Sequence, residues 1–147
     1  IKIKPDAIVL SGGSNIGEIP SRDNTELCLL NYARLKKLPV LGICRGMQMI
    51  AVYSGGKLKE INGHVGARHQ LQFTDQVESW TDSVNSYHNL ALDECPKDFI
   101  VLAHAEDNSI EAICHKNLPW EGWMWHPERE EVFQDKELRR LEFLFEK

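Results

Sequence analysis

The chain reads as an α/β domain built on parallel strands, and three observations predict it. The apolar runs "DAIVL" and "PVLGI" are rich in β-branched residues and end close to glycines. Each is followed by a segment of helical patterning. Strand, helix, strand and helix thus succeed one another between Asp6 and Gly56, the rhythm of βαβ units.

Each element can be justified in order. "DAIVLSGG" is a buried strand running into a glycine loop. "SRDNTELCLLNYARLKKL" is a helix with Asp23 or Asn24 as its cap and Leu27, Leu30, Ala33 and Leu35 among its apolar positions. "PVLGIC" is the second strand, and "RGMQMIAVYSGG" a short helix ended by Gly55-Gly56. From Lys57 to Asp82 the pattern loosens, and "KLKEI", "HQLQF" and "DQVESW" read as short strands, antiparallel in character. "DFIVLAHAED" and "SIEAICHK" form two strands joined by a turn at Asp107-Asn108. "GWMWHPERE" is a strand that stops at Pro127, and "QDKELRRLEFLFEK" an amphipathic helix with Leu138, Leu141 and Phe145 on one face. With no repeat, low-complexity tract or linker, residues 1–147 read as one domain. Because Ile1 leads almost directly into a core strand, upstream elements are expected to be missing.

Composition narrows the function. The 17 basic and 22 acidic residues leave a formal charge of −5 with no basic stripe, which argues against a nucleic-acid partner. No apolar stretch has transmembrane length and no leader-like segment is seen, so no membrane partner is expected. Cys28, Cys44, Cys95 and Cys114 form no C-x-x-C pair in a chain that is not cysteine-dense, so reduced thiols in a cytoplasm are expected. His64 and His69 raise the question of a metal, but spacing places no third ligand and catalytic zinc takes three. Neither metal nor cofactor is expected. Trp120, Trp123 and Trp125, in an acidic chain, read as core and pocket wall rather than base-stacking platforms.

"GICRG" puts Cys44 between two glycines, at the junction of a strand and a helix. Small neighbours are what a strained nucleophile elbow requires. The same corner sets the sulfur at a helix N-terminus, where the dipole favours a thiolate, and aims the Arg45 N–H the same way. By itself the pattern fits either a reactive thiol or a buried structural cysteine at a glycine turn. A thiol nucleophile needs a base, and the base an orienting group. In "WHPE", His126 precedes a proline and is biased to extended backbone, and Glu128 lies two residues on, where extended side chains share a side.

"GICRGMQ", the downstream "WHPE" and the upstream "LSGG" together resemble the class I glutamine amidotransferase superfamily. "GICRG" and "VNSYHNLAL" lean towards its gamma-glutamyl hydrolase branch, which includes gamma-glutamyl-GABA hydrolases. "WMWHPERE" looks closest to the gamma-glutamyl-CDP-amidate hydrolase type of capsule pathways. The resemblance implies a flavodoxin-like three-layer sandwich with a mostly parallel central sheet, here short of its N-terminal elements. It implies Cys44 as nucleophile, His126 as base and Glu128 as its orienter. It gives Gly13 and Arg45 as oxyanion donors, and Gln48, Tyr87 and Asn89 as glutamyl contacts, with His88 structural. The expected activity is hydrolysis of a γ-glutamyl amide through a thioester, without a cofactor and without a synthetase partner. A glutaminase subunit feeding ammonia to a synthetase and a non-catalytic binding domain are the alternatives.

Overall fold

The structure, a computed structural model, describes residues 3–146. Its elements in order are β1 (Ile8–Leu10), α1 (Pro20–Lys36), β2 (Val40–Ile43), α2 (Arg45–Tyr53), β3 (Leu58–Glu60), β4 (Val65–Gln70), β5 (Gln72–Phe73), β6 (Ser83–Tyr87), β7 (Leu90–Leu92), β8 (Phe99–His104), β9 (Ile110–His115), β10 (Trp120–Trp123) and, after a 3-10 turn at Pro127–Arg129, α3 (Asp135–Phe145). Among the described residues no helix is long and apolar enough to cross a membrane.

The fold is a flavodoxin-like α/β sandwich. One sheet has the order β1-β2-β10-β9-β8-β5, and β3–β7 and β4–β6 form two small ribbons beside it. Alternate residues of the sheet feed two cores. Val40 and Trp120 pack with Leu30 and Ala33 of α1 and Met47 and Ile50 of α2. Leu41, Ile43 and Trp123 pack with Leu144 of α3. Period-two alternation, with apolar residues on both sides, is why β2 reads as an unbroken apolar run, whereas β10 carries the buried Glu121 between Trp120 and Trp123.

The sheet is mixed, which corrects the expectation of a mostly parallel one. β1, β2 and β10 are parallel. The pairings β10–β9, β9–β8 and β8–β5 are antiparallel. A parallel return needs a crossover of about a dozen residues or more. The connections 105–109 and 116–119 are too short for one.

Other elements depart from expectation for local reasons. "DQVESW" holds no strand, whereas residues 83–92 hold β6 and β7. β10 ends at Trp123, before Pro127. α1 starts at Pro20, with neither Asp23 nor Asn24 as its cap. Proline suits this first helical position because its missing N–H would have no partner there. Asp23 instead accepts the Gly17 N–H at 2.8 Å. The inward face of α1 is Glu26, Leu30 and Ala33, and Leu35 is exposed. On α3, Glu137 and Leu144 are buried with Leu141 and Phe145 packed nearby, while Leu138 turns outward.

Candidate active site

The site begins with backbone strain. Cys44 lies between β2 and α2 at φ 51°, ψ −106°, a region that a residue with a Cβ rarely adopts. The flanking glycines let the bend close. A Cβ on Gly42 would come within 2.5 Å of the Gly46 backbone, and one on Gly46 within 2.1 Å of the Leu10 carbonyl oxygen. The corner is held by Cys44 N–H donating to Trp123 O at 2.7 Å and by Gln48 N–H donating to Cys44 O at 3.1 Å.

The thiol is not the preformed thiolate that the helix N-terminus implied. Burial pushes Cys44 up to about 11, outweighing the Arg45 N–H, which hydrogen-bonds the sulfur and pulls the other way. Near neutral pH the sulfur therefore keeps its proton.

His126 follows β10, next to β2 in the sheet, and its ring packs on the Ser11–Gly13 loop. A Cβ on Gly12 would sit 2.5 Å from its Cε1. His126 Nδ1 lies 2.6 Å from Glu128 Oε1. Spacing foresaw the pair, but its geometry is not that of a strand. Pro127–Arg129 is a 3-10 turn, and the turn brings Glu128 back to the ring. Asn85, which no sequence signal singled out, grips the His126 backbone from both sides. Its Oδ1 accepts the His126 N–H at 2.9 Å, and its Nδ2 donates to His126 O at 2.8 Å.

The glycine loop is shaped by charge. Arg22 donates to Ser11 O at 2.8 Å and Gly12 O at 3.0 Å. In a trans peptide C=O and N–H point oppositely, so anchoring the Gly12 carbonyl to Arg22 turns the Gly13 N–H away from α1. Gly13 has φ +145°, and a Cβ there would meet Arg22 Nη1 at 2.2 Å. Arg22 also binds Glu26 at 2.8 Å, and Glu26 and Asp23 both bind the buried Arg45 guanidinium. That side chain is thus an ion-pair bridge between α2 and α1.

These parts border one pocket of about 210 Å3, lined by Gly13, Ser14, Asn15, Glu18, Cys44, Arg45, Gln48, Tyr87, His88 and Asn89. Six of the eight residues singled out from the sequence line it. His126 and Glu128 stand beside it, with Tyr87 linking the two groups. The Tyr87 ring is 6.0 Å from the His126 ring, and the Arg129 guanidinium lies over the Tyr87 ring at 4.5 Å. Gln48 is buried and donates to Leu90 O at 2.9 Å. Trp123 and Trp125 stack at 5.2 Å in the core below, and Trp120 packs on the opposite layer against Tyr53.

Fold and elbow define a class: an α/β domain that presents a thiol on a strained strand–helix corner above a small polar pocket. The glutamine amidotransferase class-I family matches residues 1–144, and the chain belongs to that family. Over 130 residues it is 37% identical to a gamma-glutamyl-CDP-amidate hydrolase from Campylobacter jejuni, covering 84% of this chain and 62% of that protein. It is 33% identical to a subunit of a glutamine-hydrolyzing GMP synthase from Methanothrix thermoacetophila, covering 90% of this chain and 76% of that one. Among solved structures, a glutamine amidotransferase from Thermotoga maritima superposes with a TM-score of 0.73 at 18% identity, covering 96% of this chain and 64% of that one. That likeness speaks to the fold. The chain spans less than two thirds of the Campylobacter relative's length.

Proposed function

We propose that the protein is a cysteine hydrolase of γ-glutamyl amide bonds, of the kind that cleaves gamma-glutamyl-CDP-amidate in capsule biosynthesis. The observation that carries this reading is the Cys44 elbow opening on a pocket of amino-acid size. Its about 210 Å3 falls below the roughly 300–1,000 Å3 of sites that engulf drug-sized ligands. A glutamyl head fits inside, and the group on its amide nitrogen projects outward.

In this reading His126 takes the Cys44 proton as the sulfur attacks the γ-carbonyl. Glu128 holds the imidazole by Nδ1 and steadies its positive charge. The Gly13 and Arg45 amides receive the oxyanion. His126 then protonates the departing amine, and water enters by the reverse route to release glutamate. Gln48, Tyr87 and Asn89 contact the glutamyl head. The 37% likeness to a hydrolase favours this over a glutaminase subunit, which the GMP synthase relatives keep as the second reading.

The test incubates the full-length protein, without ATP or partner, with glutamine and with γ-glutamyl amides substituted on nitrogen, and measures released glutamate. Preference for a substituted amide by a large factor in kcat/KM is expected, because a remote leaving portion contributes binding energy to the transition state. Preference for glutamine, or turnover only when a synthetase is added, would replace this reading with the second.

A further inference from the structure

His64, His88 and Glu111 are brought together from three distant stretches of chain, and all three are buried. His64 precedes β4, His88 follows β6 and Glu111 lies in β9. Glu111 is fully enclosed, a rare place for a carboxylate, and Ser109 Oγ donates to its Oε1 at 3.4 Å.

The hydrogen bonds around the two rings decide what faces the centre. His64 Nε2 lies 2.9 Å from Asp107 Oδ2, a carboxylate that can only accept while ionised, so the ring proton sits on Nε2. His88 Nδ1 lies 3.0 Å from the Leu90 carbonyl, which also only accepts, so its proton sits on Nδ1. Each ring thereby turns its other nitrogen inward, and in a neutral imidazole that nitrogen is the one with the lone pair. His64 Nδ1 and His88 Nε2 both stand 3.6 Å from Glu111 Oε1. His88 Nε2 and Glu111 Oε2 are buried with no hydrogen-bond partner among the described residues. Acceptors converge on one point, and such a point calls for a cation.

We propose that His64 Nδ1, His88 Nε2 and Glu111 form a site for a divalent cation of the zinc class, with an N2O donor set and one open position. The 3.6 Å separations are close to the roughly 3.4 Å edge of a tetrahedron with 2.0–2.1 Å bonds. Asp107 on His64 and the Leu90 carbonyl on His88 are the outer partners that fix a ligating histidine's proton and ring angle. His69, which the sequence paired with His64, is no ligand here and lies tilted against the His64 ring, 4.1 Å between centroids. His88 also lines the glutamyl pocket, so the centre is a neighbour of the site rather than a remote staple.

The test titrates chelator-treated full-length protein with Zn2+ and with Co2+, by calorimetry and by the visible absorption of Co2+. One equivalent is expected to bind, raising Tm, with the cobalt spectrum of a four-coordinate N/O site and no thiolate charge-transfer band. Cys44→Ala should bind the same equivalent. His64→Gln, His88→Gln and Glu111→Gln should each lose it. Asp107→Ala removes only an outer partner on a half-exposed side chain and should weaken binding about 10–100-fold. It keeps the test alive if the buried variants fail to fold. No stoichiometric binding by the wild type, a cobalt–thiolate band, or unweakened binding in Asp107→Ala overturns the proposal. That result would leave the Cys44 reading intact, since hydrolysis is assayed separately.

Discussion

The two halves of the sheet hold opposite kinds of tension. The parallel half (β1, β2, β10) stores it in the backbone: Cys44 at φ 51°, glycines packed to contact, a thiol that burial keeps protonated. The antiparallel half and its ribbons store tension in side chains around Glu111, where the β8–β9 register shifts and acceptors face one another. A strained corner sets one thiol at the wall of a pocket, while buried polar atoms bring two rings and a carboxylate face to face.

The largest effect should come from removing the strained atom's chemistry. Cys44→Ala is expected to cost about 10^6 in kcat with Tm almost unchanged, read by steady-state kinetics and thermal melting. A diazoketone glutamine analogue should add to Cys44 and leave Cys28, Cys95 and Cys114 untouched; labelling elsewhere, or turnover by the variant, defeats the assignment. His126→Asn should lose nearly as much. Glu128→Gln should lose less, because it keeps a hydrogen-bond partner for Nδ1 but not the charge. Losses in the double variant should fall far short of the product, and multiplicative losses would mean the two residues do not act together.

Next in size is Arg45→Leu. Its guanidinium is buried against Asp23 and Glu26, so stranding those carboxylates should cost about 3–5 kcal/mol of folding free energy in a denaturant melt. KM for anionic and neutral substrates should shift together. A selective rise for anionic substrates would instead give the guanidinium a substrate-binding role.

The smallest effect sharpens the electrostatics of the elbow. A raised pKa disfavours the charged form, so the unliganded protein carries less thiolate at Cys44 than at an ordinary cysteine. A rise from 9.0 to about 11 lowers the thiolate fraction about 100-fold near neutral pH, and the greater nucleophilicity of that thiolate recovers about half of the two log units, so alkylation of Cys44 by iodoacetamide should be about 10-fold slower than of a cysteine left at 9.0. The rate should climb about tenfold per pH unit up to about pH 11. A plateau near neutral pH in the unliganded protein would show a thiolate already present.

The parallel half was legible in the sequence because its signals are local. "GICRG" and "WHPE" carry their own spacing, and "DAIVL" and "PVLGI" are apolar on both faces. The rest depends on partners far away in the chain. Glu26 takes an inward position on α1 to meet Arg45, so the helix's apolar stripe is broken and the exposed Leu35 mimics part of it. β6 and β7 lie in "SVNSYHNLAL", whose polar residues are buried by hydrogen bonds rather than by alternation, Asn85 on His126 and Ser86 on His64 O at 2.8 Å. Sheet polarity turned on connection length, which was visible but outweighed by the opening βαβ rhythm. Glu111 sits in "SIEAICHK" with nothing nearby to announce His64 or His88.

The indole cluster beneath the elbow gives the protein an optical readout of its own. Trp123 and Trp125 stack nearly parallel, their planes 10° apart, with Trp80 5.8 and 6.2 Å from them. The Trp125 N–H donates to Glu137 at the start of α3, and the Trp123 carbonyl receives the Cys44 N–H. Ultraviolet emission and near-ultraviolet dichroism from this trio therefore report on two things at once, the seating of the last helix and the state of the elbow. Excitation of tryptophan in a stopped-flow mixer should follow acylation and its reversal without any added dye.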